Sequence, residues 1–357
     1  MAEIWFGTHP GSPTQAVSDS GAAMGSLLDI RAGKPLGFLL KILAAHTPLS
    51  IQAHPNAQQA AAGFARENAL GIPLDAPNRN YRDDRHKPEM IVALTEFRSL
   101  SGFRPLTESV DLFSALAKLQ SMAQPFAQYS ALLETGLQSL VQHLLQQRGQ
   151  LRQVTAALAL VAADAQAIQA SEALQENLQH LQLVTQLEEL YPGDPGIVIS
   201  LLMNLITLQP GQAAQLGAGN IHAYVSGLGV EIMASSDNVL RGGLTPKHID
   251  VEELAAILDF STQAPQVLAG KELVNGLFEY PRMVQDYLLY RVEVSGQNLL
   301  ADLKIANPSI FLCTAGQVAV SDSTEQRVVL SRGQAAYLAD AKFYSFTGSG
   351  TGFLATS

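Results

Sequence analysis

The sequence contains little of several residue types, and each shortage excludes a class of protein. It has one cysteine, Cys313, so no disulfide can form within the chain, which suits a reducing compartment. No apolar run is long enough to cross a bilayer, and residues 1–10 lack the basic and apolar segments of a signal peptide. We therefore expect a cytoplasmic protein without a membrane partner.

Basic residues are also scarce. The 357 residues include 22 Lys and Arg against 32 Asp and Glu, for a formal net charge of −10, and eight of the 22 are lysines. A nucleic-acid partner would need a basic face, and the sequence has no basic run. A protein of this charge that handles an anionic substrate must concentrate its few cations at the site.

The chain is long enough for two or three domains, and its composition and hydrophobic pattern change along its length. Short apolar runs such as Met90–Leu94 give way to a stretch rich in Leu, Ala and Gln, where apolar residues such as Leu140, Leu144 and Leu145 fall at helical spacing. The turn cluster Tyr191–Gly196 ends this stretch. Strand-like sequence resumes at Ile197–Leu208.

Beyond about residue 288, short alternating runs are separated by turns, for example at Ile310–Cys313, Gln317–Val320 and Ala335–Leu338. This pattern favours an antiparallel barrel or jelly roll. We predict a mainly β protein with an inserted helical domain, divided as follows: a discontinuous barrel (1–106 and 190–250), a helical domain (107–189) and a second β domain (251–357).

Three segments carry side chains that can bind a metal. Gln52 and His54 lie two residues apart, on one face of a strand. Glu89 stands at the start of an apolar run, where a buried acid needs a partner, and His222 follows a turn-rich stretch. Each has an ordinary alternative reading, as a strand end, a solvent-facing acid or a structural histidine. Together they offer two imidazoles, a carboxylate and an amide oxygen, a set that suits zinc and tolerates manganese, cobalt or nickel.

A polar, Gly-rich segment, Ser235–His248, contains two cations and one acid ahead of its final histidine. Arg241 can stabilise a developing oxyanion and Lys247 can bind a phosphate. Asp237 can orient either cation or act as an acid–base group. A surface loop with incidental charges fits these residues equally well.

Four strings occur in order along the chain: Gln52-Ala-His54-Pro-Asn56, His86-Lys-Pro-Glu89, His222-Ala-Tyr224 and Ser235-Ser-Asp-Asn-Val-Leu-Arg241-Gly-Gly-Leu-Thr-Pro-Lys247. With Ala2–Pro10 and Phe38–Lys41, they resemble the type I phosphomannose isomerase family over essentially the whole chain. The resemblance implies a cupin-type (jelly-roll) β-barrel that carries the site, an inserted helical domain and a second cupin-like barrel. Family members usually carry a few tens of residues ahead of the Glu3–Trp5 region.

The resemblance also implies a reaction, the interconversion of mannose 6-phosphate and fructose 6-phosphate through a cis-enediol intermediate. One zinc ion per chain is expected on Gln52, His54, Glu89 and His222, and Arg241 matches the family's catalytic arginine. Lys87 matches its active-site lysine. The base remains open among Lys87, Glu231, Asp237 and His86, and the expected substrate contacts are Lys41, Ser50, His86, Tyr224 and Lys247.

Two other functions are compatible with such a fold. A non-catalytic sugar-phosphate-binding cupin would be expected to lack Arg241 or a metal ligand, and all of them are present. A metal-dependent cupin oxygenase is disfavoured because the Gln52/Glu89 pair with a cationic loop suits an anionic sugar better. We expect a monomer, and no metal in the C-terminal barrel, because residues 249–357 contain no histidine.

Overall fold

The computed structural model describes residues 2–18, 21–296, 300–340 and 342–357. Strands of these residues form antiparallel sheets of ten and eight strands and a small two-stranded sheet, and helices fill the middle of the chain. The expectation of a mainly β protein with inserted helices is confirmed in this form. None of the described helices is long and apolar enough to span a membrane.

The first hundred residues form mostly strands, in this order: β1 (Ala2–Phe6), β2 (Gln15–Val17), β3 (Ala23–Ser26), α1 (Leu27–Ile30), β4 (Phe38–Ala45), β5 (Ile51–Ala53), α2 (Ala57–Ala69), β6 (Glu89–Ala93) and β7 (Phe97–Phe103). Asn56 shows how the sequence starts a helix here. Its side chain accepts the N–H of Gln59 at 2.8 Å, and the Gln59 side chain accepts the N–H of Asn56 at 2.9 Å. This reciprocal cap satisfies two N–H groups that the first turn leaves free.

The middle of the chain is helical, as its spacing predicted: α3 (Leu106–Ala117), α4 (Ala123–Thr135), α5 (Leu137–Gln146), α6 (Arg152–Ala163), α7 (Ala165–Gln169), α8 (Glu172–Glu176) and α9 (Leu178–Leu190). Helix α5 buries Leu137, Leu140, Val141, Leu144 and Leu145 along one face. Its core continues under the first large sheet, where Leu100 and Ile221 belong to the same apolar cluster.

The chain then returns to strands: α10 (Gly196–Ser200), β8 (Met203–Leu208), β9 (Gln212–Leu216), β10 (His222–Ala234), β11 (Leu240–Gly243), α11 (Val251–Ile257) and β12 (Val267–Ala269). The strand predicted over Ile197–Leu208 is therefore wrong in its first half. Asp194 accepts the N–H of Gly196 at 2.7 Å and starts a short helix there. A short, fully buried apolar run fits a helix or a strand equally well, so its pattern could not separate the two.

The ten-stranded sheet has the order β1-β4-β10-β6-β9-β12, with β5, β7, β8 and β11 attached beside this path. Strand β10 joins both parts, because its first half pairs with β5 and β7 and its second half with β4 and β6. The two halves meet at Gly227, whose φ is 125° and where a Cβ would lie 2.6 Å from the carbonyl oxygen of Glu96. Only glycine fits that position.

The eight-stranded sheet contains β13 (Lys271–Val274), β14 (Leu277–Glu279), β15 (Leu288–Val294), β16 (Leu300–Ile305), β17 (Ser309–Asp322), β18 (Arg327–Ser331), β19 (Ala335–Leu338) and β20 (Lys342–Thr356). The runs Ile310–Cys313 and Gln317–Val320, predicted as two strands, form the single strand β17 with an irregularity near Thr314. Leu289 and Phe353 of this sheet pack with Phe38 and Leu40 of the first.

The change from one sheet to the other comes later in the chain than the predicted boundary at residue 251. Strand β12 still pairs with β9 of the first sheet, and helix α11 contacts β11. The second sheet begins at β13.

Candidate metal centre

Three buried side chains form a compact group where β5, β6 and β10 meet. The possible ligand atoms of His54, Glu89 and His222 all lie within 4.8 Å of one another, and each residue is at most 2% exposed. His222 stands directly opposite Gln52 in the pairing of β10 with β5. His54 is the residue after β5, and Glu89 is the first of β6.

Hydrogen bonds to the backbone determine which imidazole nitrogens are available. His54 Nδ1 lies 2.7 Å from the carbonyl oxygen of Asn238, and His222 Nδ1 lies 2.9 Å from that of Asn220. A carbonyl oxygen can only accept, so each Nδ1 carries the proton and each Nε2 presents a lone pair.

Those lone pairs face a carboxylate. His54 Nε2 is 3.3 Å from Glu89 Oε1, and His222 Nε2 is 3.5 Å from Glu89 Oε2. Among the described residues, neither His54 Nε2 nor Glu89 Oε2 has a hydrogen-bond partner. Buried acceptors that face one another need a cation between them, and two imidazole nitrogens with a carboxylate are a donor set that zinc prefers.

The Gln52 side chain extends this donor set. Its Nε2 lies 3.3 Å from His222 Nε2, and a 180° rotation of the terminal amide places the oxygen beside the imidazole instead. The amide can therefore offer an oxygen as a fourth ligand.

Burial and charge act in opposite directions on these groups. Burial lowers the pKa of His54 to about 4, although Glu89 partly opposes the shift, so the imidazole is neutral and able to bind a metal. Burial raises the pKa of Glu89, but Lys87, with its Nζ 3.1 Å from Glu89 Oε1, and His54 outweigh it and hold that pKa well below its usual range.

A cavity of about 370 Å³ lies beside the donor group. Nine of the residues selected from the sequence line it: Lys41, Ser50, Gln52, Lys87, Glu89, Tyr224, Glu231, Arg241 and Lys247. Three of the eight lysines of the chain are in this list, together with one arginine. The cavity therefore gathers four of the 22 cations of the chain beside three acids, Glu3, Glu89 and Glu231.

Glu231 organises one wall of the cavity. Tyr224 donates its hydroxyl to Glu231 Oε1 at 2.8 Å, and Lys41 Nζ lies 3.1 Å from Glu231 Oε2. Burial lowers the pKa of Lys41, but the surrounding acids, chiefly Glu231 and Glu3, raise it above its ordinary value. Lys41 therefore stays charged although it is buried.

Arg241 lies in a strand and not in the loop that the sequence predicted. Strand β11 pairs with β5 so that Arg241 stands opposite Gln52, which directs the guanidinium toward the cavity that it lines. The Gly-rich sequence concealed this strand because glycine is uncommon in strand interiors.

Four selected residues are absent from the described lining of the cavity. Two of them, His54 and His222, belong to the buried metal-binding group, and the other two are Asp237 and His86. Asp237 Oδ2 lies 3.2 Å from His9 Nε2, and that contact holds the pKa of Asp237 below its usual range. His86 Nε2 lies 3.0 Å from Asp286 Oδ1. The structure thus gives both residues partners outside the cavity.

Sequence reasoning missed several residues of the site. Glu3 lines the cavity and accepts the indole N–H of Trp5 at 3.0 Å, and Lys41 Nζ lies 5.0 Å from the centre of the Trp5 ring. Glu3 and Trp5 lie two residues apart on a strand, and this spacing was the signal in the sequence that could have indicated a shared face. Tyr191, at the end of the helical region, also lines the cavity.

Asn238 was missed as well, although it holds His54. Its side chain is fully buried, accepts the N–H of Arg82 at 2.7 Å and donates to the carbonyl oxygens of Asp83 and Arg85 at 2.9 and 2.8 Å. These bonds hold in place the carbonyl that orients the His54 ring. Such support is common behind metal ligands, but no local pattern in the sequence indicates it.

The chain is similar to known proteins over nearly its whole length. The family model "Phosphomannose isomerase type I, catalytic domain" matches residues 1–106. Mannose-6-phosphate isomerase of Salmonella typhimurium is 36% identical over 99% of this chain and 90% of its own length. The enzyme of that name from Homo sapiens is 33% identical over 93% of this chain and 82% of its own.

Solved structures agree with these relatives. The crystal structure of mannose 6-phosphate isomerase from Salmonella typhimurium, bound to its substrate F6P and to zinc, superposes with a TM-score of 0.85 at 32% identity. The match covers 100% of this chain and 91% of that one. Given this identity across both chains, the protein belongs to the type I phosphomannose isomerase family.

Proposed function

We propose that this protein is a zinc-dependent aldose–ketose isomerase that interconverts mannose 6-phosphate and fructose 6-phosphate. The observation that carries the proposal is a pair of potential metal-binding atoms, His54 Nε2 and Glu89 Oε2, that have no hydrogen-bond partner among the described residues. They lie beside a cavity lined by four cations. A metal satisfies the donors, and the cations suit a phosphorylated sugar. The solved relative with F6P and zinc bound supports the same assignment.

Gln52, His54, Glu89 and His222 are the proposed ligands of one zinc ion per chain. When bound, zinc supplies positive charge that polarises a sugar oxygen or holds the substrate in place. Four protein ligands leave less room for an activated water than the three of a hydrolytic site, which agrees with an isomerase.

The reaction removes a proton from C2 of the open-chain aldose and returns one to C1, through a cis-enediol. Negative charge develops on the oxygens at C1 and C2, and Arg241 is proposed to stabilise it. Lys247 is proposed to bind the phosphate as a point charge. Ser50, Tyr224 and Lys41 line the cavity and are the proposed contacts of the sugar hydroxyls and the phosphate.

Of the four candidates for the base, Lys87 and Glu231 line the cavity. Both carboxylate oxygens of Glu231 are engaged by Tyr224 and Lys41. Lys87 is engaged by Glu89 and must lose its proton to act as a base, so both residues remain candidates. Asp237 and His86 stay predictions without a contact to the cavity.

We also propose that the two large sheets are cupin-type barrels and that the helical region, residues 107–189, is an inserted domain. Strand β10, which joins the two parts of the ten-stranded sheet, and the antiparallel pairing of the described strands support the first part. The monomeric state and the cytoplasmic location remain predictions.

The test is an isomerase assay on mannose 6-phosphate, coupled to detection of fructose 6-phosphate, with metal analysis of the same preparation. We expect turnover, about one zinc ion per chain, loss of activity on chelation and recovery when zinc is restored. Substrate binding without turnover would instead identify a non-catalytic binding protein, and full activity in a metal-free preparation would exclude the zinc mechanism.

A further inference from the structure

The segment Leu244–Lys247 lines the cavity. It is hydrogen-bonded both to the turn cluster Tyr191–Gly196 and to the helical region. Asp194 Oδ1 accepts the N–H of Leu244 at 2.7 Å, and its Oδ2 lies 3.4 Å from the N–H of Thr245. The same Oδ1 accepts the N–H of Gly196, so one carboxylate ties the segment to the start of α10.

Arg148, between α5 and α6, holds the other end of the segment. Its guanidinium donates to the carbonyl oxygen of Lys247 at 2.9 Å and to that of Thr245 at 2.5 Å. A planar fork of N–H donors that reaches two carbonyls fixes direction as well as distance. The Asp194 carboxylate therefore binds N–H groups of the segment, and the Arg148 guanidinium binds its carbonyl oxygens.

The backbone of this segment needs such support. Leu244 has a φ of 52°, and the preceding Gly243 has a φ of 140°. A left-handed conformation is unfavourable at a leucine, because its Cβ crowds the following carbonyl oxygen. It persists when neighbouring bonds over-determine it, and the bond from Leu244 N–H to Asp194 is one of these.

Arg241 is held differently. It lies within β11 and is paired with Gln52 through the sheet, whereas Leu244–Lys247 lie beyond the end of that strand. The two cations of the Gly-rich segment therefore depend on different supports, Arg241 on the sheet and Lys247 on the helical region and the turn cluster.

We propose that Arg148 and Asp194 are positioning residues for Lys247, so that the helical region and the turn cluster after it determine the affinity of the site for the phosphate of its substrate. This rests on the proposed function. Neither residue lines the cavity, and both act through the backbone of the segment that carries the lysine.

The first measurement is steady-state kinetics of Asp194→Asn, Arg148→Met and Arg148→Lys with mannose 6-phosphate. For Asp194→Asn and Arg148→Met we expect KM to rise about tenfold, in line with the loss of a hydrogen bond to a charged group, while kcat changes much less. Arg148→Lys keeps a donor and a charge and should recover part of the loss. Matched controls are Arg152→Met and Glu189→Gln, exposed residues of α6 and α9, for which KM should not change.

The second measurement does not depend on activity. Trypsin cleaves after Lys247 only when the segment can leave its place, so the rate of appearance of fragments 1–247 and 248–357 should rise in Arg148→Met and Asp194→Asn but not in the controls. If the wild type shows no isomerase activity, the proposed function fails, and the cleavage rates still decide whether the residues hold the segment. Wild-type KM and cleavage rates in both variants, or a fall in kcat that only follows loss of folded protein, would overturn the proposal.

Discussion

The two large sheets share antiparallel construction but differ in what they bury. The first buries Lys41, Glu89 and Glu231 on neighbouring strands, at 6%, 2% and 3% exposure. Among the described residues after Asp250, no Lys, Arg, His, Asp or Glu is buried. A buried charge is costly unless it is paired, and here the pairs surround the cavity. Buried ionic groups, more than sheet architecture, therefore distinguish the sheet that carries the chemistry.

The second sheet contributes apolar surface instead. One cluster, with Val292, Phe311 and Phe346, lies within that sheet. Another joins Phe353 and Leu289 to Phe38 and Leu40 of the first sheet. The second sheet thus stabilises the first from outside the site, and the following experiments test that division.

The largest difference between the sheets should come from removing a metal ligand. We expect Glu89→Gln to reduce bound zinc from about one ion per chain and to bring isomerase activity to the background of the assay, because the carboxylate is the only charged donor among the proposed ligands. Metal analysis and kinetics on the same sample provide the measurement. Glu325→Gln, in the connection between β17 and β18 of the second sheet, is the control. A Glu89→Gln protein with normal zinc and turnover would break the comparison.

Arg241→Ala should have the next largest effect. Removal of one fixed donor from a developing oxyanion typically lowers kcat by about 10²–10³. The loss should appear in kcat more than in KM, because the charge exists mainly in the transition state. Zinc content should stay near that of the wild type, since a guanidinium does not bind metals. Arg327→Ala in the second sheet is the control, and its kcat should not change. A kcat close to wild type for Arg241→Ala would make Arg241 an incidental cation.

Lys247→Ala should act mainly on binding. A point charge on phosphate interacts similarly with the ground and transition states, so we expect KM to rise by about tenfold or more with a smaller change in kcat. Titration with inorganic phosphate as a competitive inhibitor checks the same contact without turnover. If KM is unchanged, the phosphate lies elsewhere, and Lys41 becomes the next residue to test.

The smallest effect on catalysis is expected from the core of the second sheet. Phe346 is fully buried there, and Phe346→Ala should lower the free energy of unfolding by about 3–5 kcal/mol. The kcat and KM of the folded fraction should not change. Denaturant unfolding measures the stability, and active-site titration gives the amount of folded enzyme to which the kinetics are normalised. An altered KM in a fully folded sample would show that this sheet shapes the site directly.

Local pattern predicted part of this structure well. Helical spacing indicated α5 and its neighbours, and the strand Ala335–Leu338 was predicted at its observed bounds. It failed where one pattern fits two structures, as at Ile197–Ser200, and where glycine hid a strand, as at Arg241. The first was decided by the local bond from Asp194 together with packing against α5 and β11, and the second by pairing with β5. The packing and pairing partners lie outside any short window.

The sequence alone determined which side chains can bind a metal or an anion, because ligand chemistry is a property of the residue and the quoted strings keep their order. Tertiary structure decided which of them meet. His54 is oriented by Asn238, 184 residues away, and Arg241 reaches the cavity through pairing with β5. Asp237 and His86, chemically as suitable as the others, are paired elsewhere. The physical reason is that periodicity sets the direction of a side chain within its own strand, whereas the register between strands, set by long-range pairing, sets its neighbours.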